Sequence, residues 1–161
     1  QNNEIEQCNI NIYVALQKQG DTMDYEKEFE RMMATQTELA LATVADGGPN
    51  VRIVNFYYEP QNKTLYFSTF ADNNKVVELE QNPHVAFTTL PSSGQGHVRV
   101  TQGLAKKSAV PIEKHQEKFL AKLPGHIIGI PALLPELAVY EVTFECADVV
   151  LDFEHIGKVM L

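Results

Sequence analysis

Lys75 opens an amphipathic stretch, "NNKVVELEQN", shortly after Ser68 and Thr69 end the apolar run "TLYFSTF". Hydroxyls at a strand end, the unpaired backbone N–H groups of a helix start and an ammonium in its first turn are all anion-binding devices. Together they suit a phosphate. A capped helix with a solvated lysine would use the same residues, with Asp72 or Asn73 as the cap and Pro83 beyond the end. Arg52 favours a ligand, because it interrupts the apolar segment "NVRIVNF" just after Asp46-Gly47-Gly48. A guanidinium on a buried strand is costly unless paired, and its fork matches phosphate or carboxylate. The hairpin order is expected to put the Thr69 strand beside it. Two cations and two hydroxyls would then converge on a phosphorylated ligand, with a structural salt bridge from Arg52 to a glutamate as the other reading.

The elements that must position these groups follow from periodicity. In "DYEKEFERMMATQ", Tyr25, Phe29, Met32 and Met33 share one helical stripe behind an acidic first turn. Strand-like segments come next: "ELALATVA", "NVRIVNFYYE", "TLYFSTF", "HVAFTTL", "HVRVTQGLAK", "LAVYEVTFE" and "DVVLDF". Turn chemistry separates them at Asp46-Gly47-Gly48, Pro60-Gln61-Asn62 and "PSSGQG". Several strands are apolar on both faces, for example Val51, Ile53 and Tyr57 against Val54, Phe56 and Tyr58, so some outer faces need covering by helices or a second subunit. A second helix spans "NNKVVELEQN" and a third runs from about 112 to 122. The stretch "GHIIGIPALLPE" is apolar but too broken by glycine and proline for a regular helix or strand.

With 161 residues and 44% hydrophobic content the chain supports one core. Residues 1–22 read as an N-terminal extension and 23–161 as the domain. A formal charge of −8 without a long Lys/Arg run argues against nucleic acid as a partner. No apolar run approaches the roughly 20 residues that span a bilayer, and residues 1–22 lack the basic-then-apolar order of a signal peptide. A cytoplasmic protein with no membrane partner is expected. Cys8 and Cys146 are too few for a disulfide framework and are expected as reduced thiols, Cys146 in a buried strand. The histidines have no metal-ligand spacing, so no metal is expected. His126 either borders a ligand or bonds to backbone, and Tyr57, Tyr58 and Tyr66 read as strand packing.

The order "ELALATVADGGPNVRIVNFYYEPQNKTLYFSTFADNNKVVELEQNPHVAFTTL…HVRVTQGLA" resembles the FMN-binding split-barrel family that includes the pyridoxamine 5'-phosphate oxidases. The likeness covers roughly residues 25 to 107 and implies a mainly β fold with flanking helices, a split β-barrel that dimerises with FMN between subunits. By position, it implies that Arg52 and Lys75 hold the FMN phosphate with Ser68 and Thr69. Ile53, Val54 and Asn55 would line the isoalloxazine, Asn74 would add a polar contact, and His97 would touch the flavin or its ribityl chain. The C-terminal Arg-x-His substrate motif of the true oxidases is missing from "DFEHIGKVML", which speaks against the vitamin B6 reaction. The implied function is FMN-dependent oxidoreduction with a small-molecule electron donor or acceptor. The alternatives are a non-catalytic flavin carrier or sensor and a haem-binding relative, for which His97, His126 or His155 would be the axial ligand.

Overall fold

The computed structural model describes residues 23–91 and 96–161. Residues 1–22 and most of the "PSSGQG" loop, expected as an extension and a turn, lie outside them. Helix α1, Tyr25–Thr35, starts at Asp24, whose side chain accepts the Lys27 N–H at 3.0 Å. Glu26 and Glu28 sit in the first turn, and the expected stripe is buried through Phe29, Met32 and Met33.

Strands β1 (Glu38–Ala45), β2 (Gly48–Glu59), β3 (Thr64–Phe70), β4 (His84–Thr89), β5 (His97–Lys107) and β6 (Leu137–Thr143) form a closed antiparallel barrel. Their order is β4-β1-β2-β3-β6-β5, and β5 pairs back to β4. The β1–β2 hairpin ends on Ala45 opposite Gly48, with both Asp46 and Gly47 at positive φ, the conformation that a two-residue turn between twisted strands requires. Strand β5 divides its neighbours. Leu104–Lys107 pair with β6, whereas His97–Arg99 pair with β7 (Cys146–Val150), which carries β8 (Ile156–Met160) on its far side.

Two expectations at this end need correction. The strand read as "DVVLDF" ends at Val150, and Asp152 turns the chain by accepting the N–H groups of Glu154 and His155. The strand β8 was not anticipated. Its Gly157 lies against α1, where a Cβ would fall 2.3 Å from the Tyr25 ring, so only glycine fits. Cys146, expected as a reduced thiol, is disulfide-bonded.

The barrel core takes the inward positions of successive strands, among them Leu39 and Leu41, Val54 and Phe56, Leu65 and Phe67. A second cluster lies outside the wall. Tyr57, Tyr66 and Val139 are covered by Phe119 of helix α3 (Ile112–Lys122) and by Ile128. The irregular segment resolves into two 3-10 turns, Ile127–Gly129 and Pro131–Glu136. The requirement that something cover the outer face of β2 is thus met at Tyr57, while Val51 and Ile53 on that same face stay 65% and 52% exposed.

Candidate functional site

Helix α2 (Asn74–Gln81) begins directly after β3, and Asn73 is its cap, its side chain accepting the Lys75 N–H at 3.1 Å. This start turns Lys75 inward. Its Nζ donates to Thr69 Oγ1 at 2.8 Å, and the residue is only 8% exposed. One turn later Glu78 points the same way, as a residue three positions on must. Its Oε2 accepts from Arg52 Nη2 and from Thr43 Oγ1, each at 2.5 Å, and its Oε1 accepts from Asn50 Nδ2 at 2.9 Å. Arg52 Nη1 also donates to Thr43 Oγ1.

The expected cations are therefore brought together, but the corner is built differently. Arg52 lies opposite Leu41 of β1 rather than beside the Thr69 strand, because β3 pairs with β2 only over Phe56–Glu59. Helix α2 supplies the bridge between them. The glutamate salt bridge considered for Arg52 is present and coexists with the cluster. Thr69 joins it and Ser68 does not, since adjacent strand residues face opposite sides. Ser68 Oγ instead meets His126 Nε2 at 3.4 Å. Thr43, Asn50 and Glu78 were missed. Thr43 and Asn50 are cross-strand partners beside the turn, and Glu78 follows Lys75 by one helical turn, so the signal for each was its spacing.

The electrostatics follow from this packing. Burial pushes the Lys75 ammonium below its usual range, neighbouring Arg52 pushes it further, and Glu78 opposes both. The Glu78 carboxyl is held below the ordinary value by the Thr43 hydroxyl and then by Asn50 and Arg52, against the effect of burial. Two cations thus share one carboxylate. Among the described residues no carboxylate is hydrogen-bonded to Lys75, and an anion beside it would relieve both burial and repulsion.

The remaining candidates lie around this cluster. Asn74 is exposed in the first turn of α2. Ile53 faces outward, whereas Val54 is in the core and leaves only backbone for a ligand. Asn55 Nδ2 donates to the Thr37 carbonyl at 3.3 Å. His97 is on β5, three strands from β2 by either route round the barrel, and one protomer does not bring it to the corner. Burial and then Arg99 hold its imidazole below the usual value. His126 is bonded to backbone, Nδ1 accepting from the Ile128 N–H at 3.2 Å. Among the described residues no group of three or more acidic, His or Cys side chains could hold a metal ion, and no helix is long and apolar enough to cross a membrane.

No curated protein matches the sequence. Among solved structures the fold is similar to ChuZ of Campylobacter jejuni, with TM-score 0.69 and 17% identity, covering 84% of this chain and 58% of that one. The chain therefore spans little more than half the length of ChuZ. A putative pyridoxamine 5'-phosphate oxidase from Listeria innocua gives TM-score 0.63 and 20% identity, covering 79% of this chain and 98% of that one. A heme binding protein from Mycobacterium smegmatis gives 0.63 and 13%, covering 87% and 59%. These likenesses establish the fold. The model of the family described as pyridoxamine 5'-phosphate oxidase-like matches residues 32–157, the span that contains the closed barrel and the corner, and the chain belongs to that family.

Proposed function

We propose that the corner binds the phosphate of FMN and that the protein is a flavin-dependent oxidoreductase acting as a homodimer. The observation that supports this most directly is Lys75, an ammonium 8% exposed with a hydroxyl as its hydrogen-bond partner and a guanidinium close by. Arg52 and Lys75 would bind the phosphate, Thr69 would aim Lys75, and the α2 start would add its partial positive charge. The outward Ile53, the Val54 backbone and Asn55 would line the ring. A bound flavin would supply hydride or single-electron transfer between small-molecule donor and acceptor. His97 would reach the same ring only from a second protomer. A dimer would also cover Val51 and Ile53, whose exposure on a wall otherwise packed under α3 is the apolar surface an interface removes from water.

Titration with FMN and with riboflavin tests the assignment. FMN is expected to bind far more tightly, and equal affinities would refute the phosphate clamp. Sedimentation at micromolar concentration is expected to show a dimer, and a stable monomer would count against the shared site. A carrier would bind FMN equally well without turning over any donor. Haem is disfavoured at His126, because Nδ1 accepts a backbone N–H and so places the ring proton on Nε2. A cytoplasmic location is the part of the reading that the disulfide at Cys146 strains, and a thiol count on the purified chain tests whether that bond forms.

A further inference from the structure

Beneath α3 lies a second polar network, separate from the corner. The Tyr57 hydroxyl meets His115 Nδ1 at 2.7 Å, and the two residues are 5% and 3% exposed. His115 Nε2 lies 3.0 Å from Ser108 Oγ, which also accepts the Val110 N–H. Both ring nitrogens are thus engaged, and the arrangement that satisfies all of them has Tyr57 donating to Nδ1 and Nε2–H donating to Ser108. The Tyr57 ring stacks on Tyr66, centroids 4.9 Å apart and planes 16° from parallel, and Phe119 meets its face edge-on at 4.8 Å. The chain has no tryptophan, so its phenols are the aromatic groups most easily oxidised.

From this geometry we propose that Tyr57 and His115 form a proton-coupled redox pair, with Tyr57 the position at which the chain yields one electron to a strong one-electron oxidant. In the resting pair, burial pushes the phenol up, helped by Tyr66 and Glu141, so Tyr57 keeps its proton. Burial pushes the imidazole down, so His115 is a neutral base. Loss of an electron makes the phenol strongly acidic. Its hydroxyl proton then crosses the 2.7 Å bond to Nδ1, leaving a neutral phenoxyl and an imidazolium, with the oxidant reduced by one electron and no proton released to water. The Glu141 carboxylate and the Val110 carbonyl both favour charge on His115, and they stabilise the product. The pair would act as a buried trap for oxidising equivalents, and this holds whichever cofactor the corner binds.

The test is flash oxidation of the full chain by photogenerated ruthenium(III) tris-bipyridine, with persulfate as terminal acceptor, followed by rapid freezing and electron paramagnetic resonance. A tyrosyl radical with a hydrogen-bonded oxygen and an exchangeable deuteron coupling is expected. Tyr57→Phe should lower its yield about tenfold, the consequence of a barrier higher by ~1.4 kcal/mol, and Tyr66→Phe should retain it. A radical whose oxygen has no hydrogen bond, or an undiminished yield in Tyr57→Phe, would overturn the proposal. The first criterion needs only the unsubstituted chain, so poor folding of a variant does not leave the question open.

Discussion

The corner and the network under α3 solve the same problem, polar groups taken out of water, in opposite ways. Around His115, phenol, imidazole and hydroxyl close a neutral circuit in which donors and acceptors are matched. Around Arg52, two cations share one carboxylate, and the hydroxyls of Thr43 and Thr69 complete the bonding without cancelling the extra charge. A matched neutral network mainly stabilises the fold. A cluster with an unbalanced charge is stable enough to persist and has affinity to spare for an anion.

The difference can be broken most severely at Glu78. Glu78→Gln removes the carboxylate that, among the described residues, faces both cations and is expected to cost about 3 kcal/mol in denaturant unfolding, the low end for breaking a buried pair because Arg52 keeps partial solvent access. Added phosphate should restore part of that loss. The same pair sets a pH dependence. Because the folded-state pKa of Glu78 lies below its ordinary 4.5, its contribution is complete above that pH and is lost as pH falls through the folded value. The stability difference between the unsubstituted chain and Glu78→Gln should shrink over that acid range, and a constant difference would contradict the assignment.

Ligand affinity sharpens the contrast. Arg52→Ala or Lys75→Ala should each weaken FMN by about 10- to 100-fold, from a charge-assisted contact of roughly 1.5 to 3 kcal/mol. Tyr57→Phe should instead cost about 1 to 3 kcal/mol of stability by stranding a buried acceptor on His115. Isothermal titration should find its FMN affinity nearly unchanged, and a loss as large as that of the corner variants would erase the distinction.

Lys122 offers a third case, a half-buried cation donating to the Met33 carbonyl at 2.8 Å and lying 3.9 Å above the centre of the Phe56 ring. Burial lowers it to about 7 from 10.5. Its folded-state pKa is therefore below the unfolded one, so burying it costs most below pH 7, and the cost fades as pH rises towards 10.5. Lys122→Met should stabilise the protein by about 1 to 3 kcal/mol at pH 6, and by progressively less in alkaline buffer. The smallest effect concerns the chain start. Under reducing conditions, which open the Cys146 disulfide, a chain beginning at Met23 is expected to fold, dimerise and bind FMN within about threefold of the full chain, under ~1 kcal/mol. Insolubility or loss of flavin would place residues 1–22 in the core or the interface.

Much of the fold was legible because its signals are local. The α1 stripe, the Asp46-Gly47 turn and the alternation of β1 each follow from periods and backbone preferences within a few residues. The strand β8 was not legible, since "IGKVM" is short and owes its pairing to β7 and to Tyr25 over Gly157. At the corner, Arg52 and Lys75 were visible as misfits, a cation in an apolar strand and another at a helix start. Thr43, Asn50 and Glu78 were not, because a threonine, an asparagine and a helical glutamate look ordinary until something faces them.

The sequence by itself determined the three helices and the strands other than β8, that a cation sits within β2, and that some outer strand faces needed cover. Each rests on interactions between residues close in the chain, or on the cost of leaving apolar surface in water. Only the tertiary structure decided that α2, rather than β3, joins the two cations. It also decided that Thr69 faces them while Ser68 faces His126, and that α3 covers Tyr57 and leaves Ile53 open. Those outcomes depend on register and on how the barrel closes. A one-residue shift in either reverses every side chain's direction, and nothing local to Ser68 or Thr69 encodes which of them turns inward.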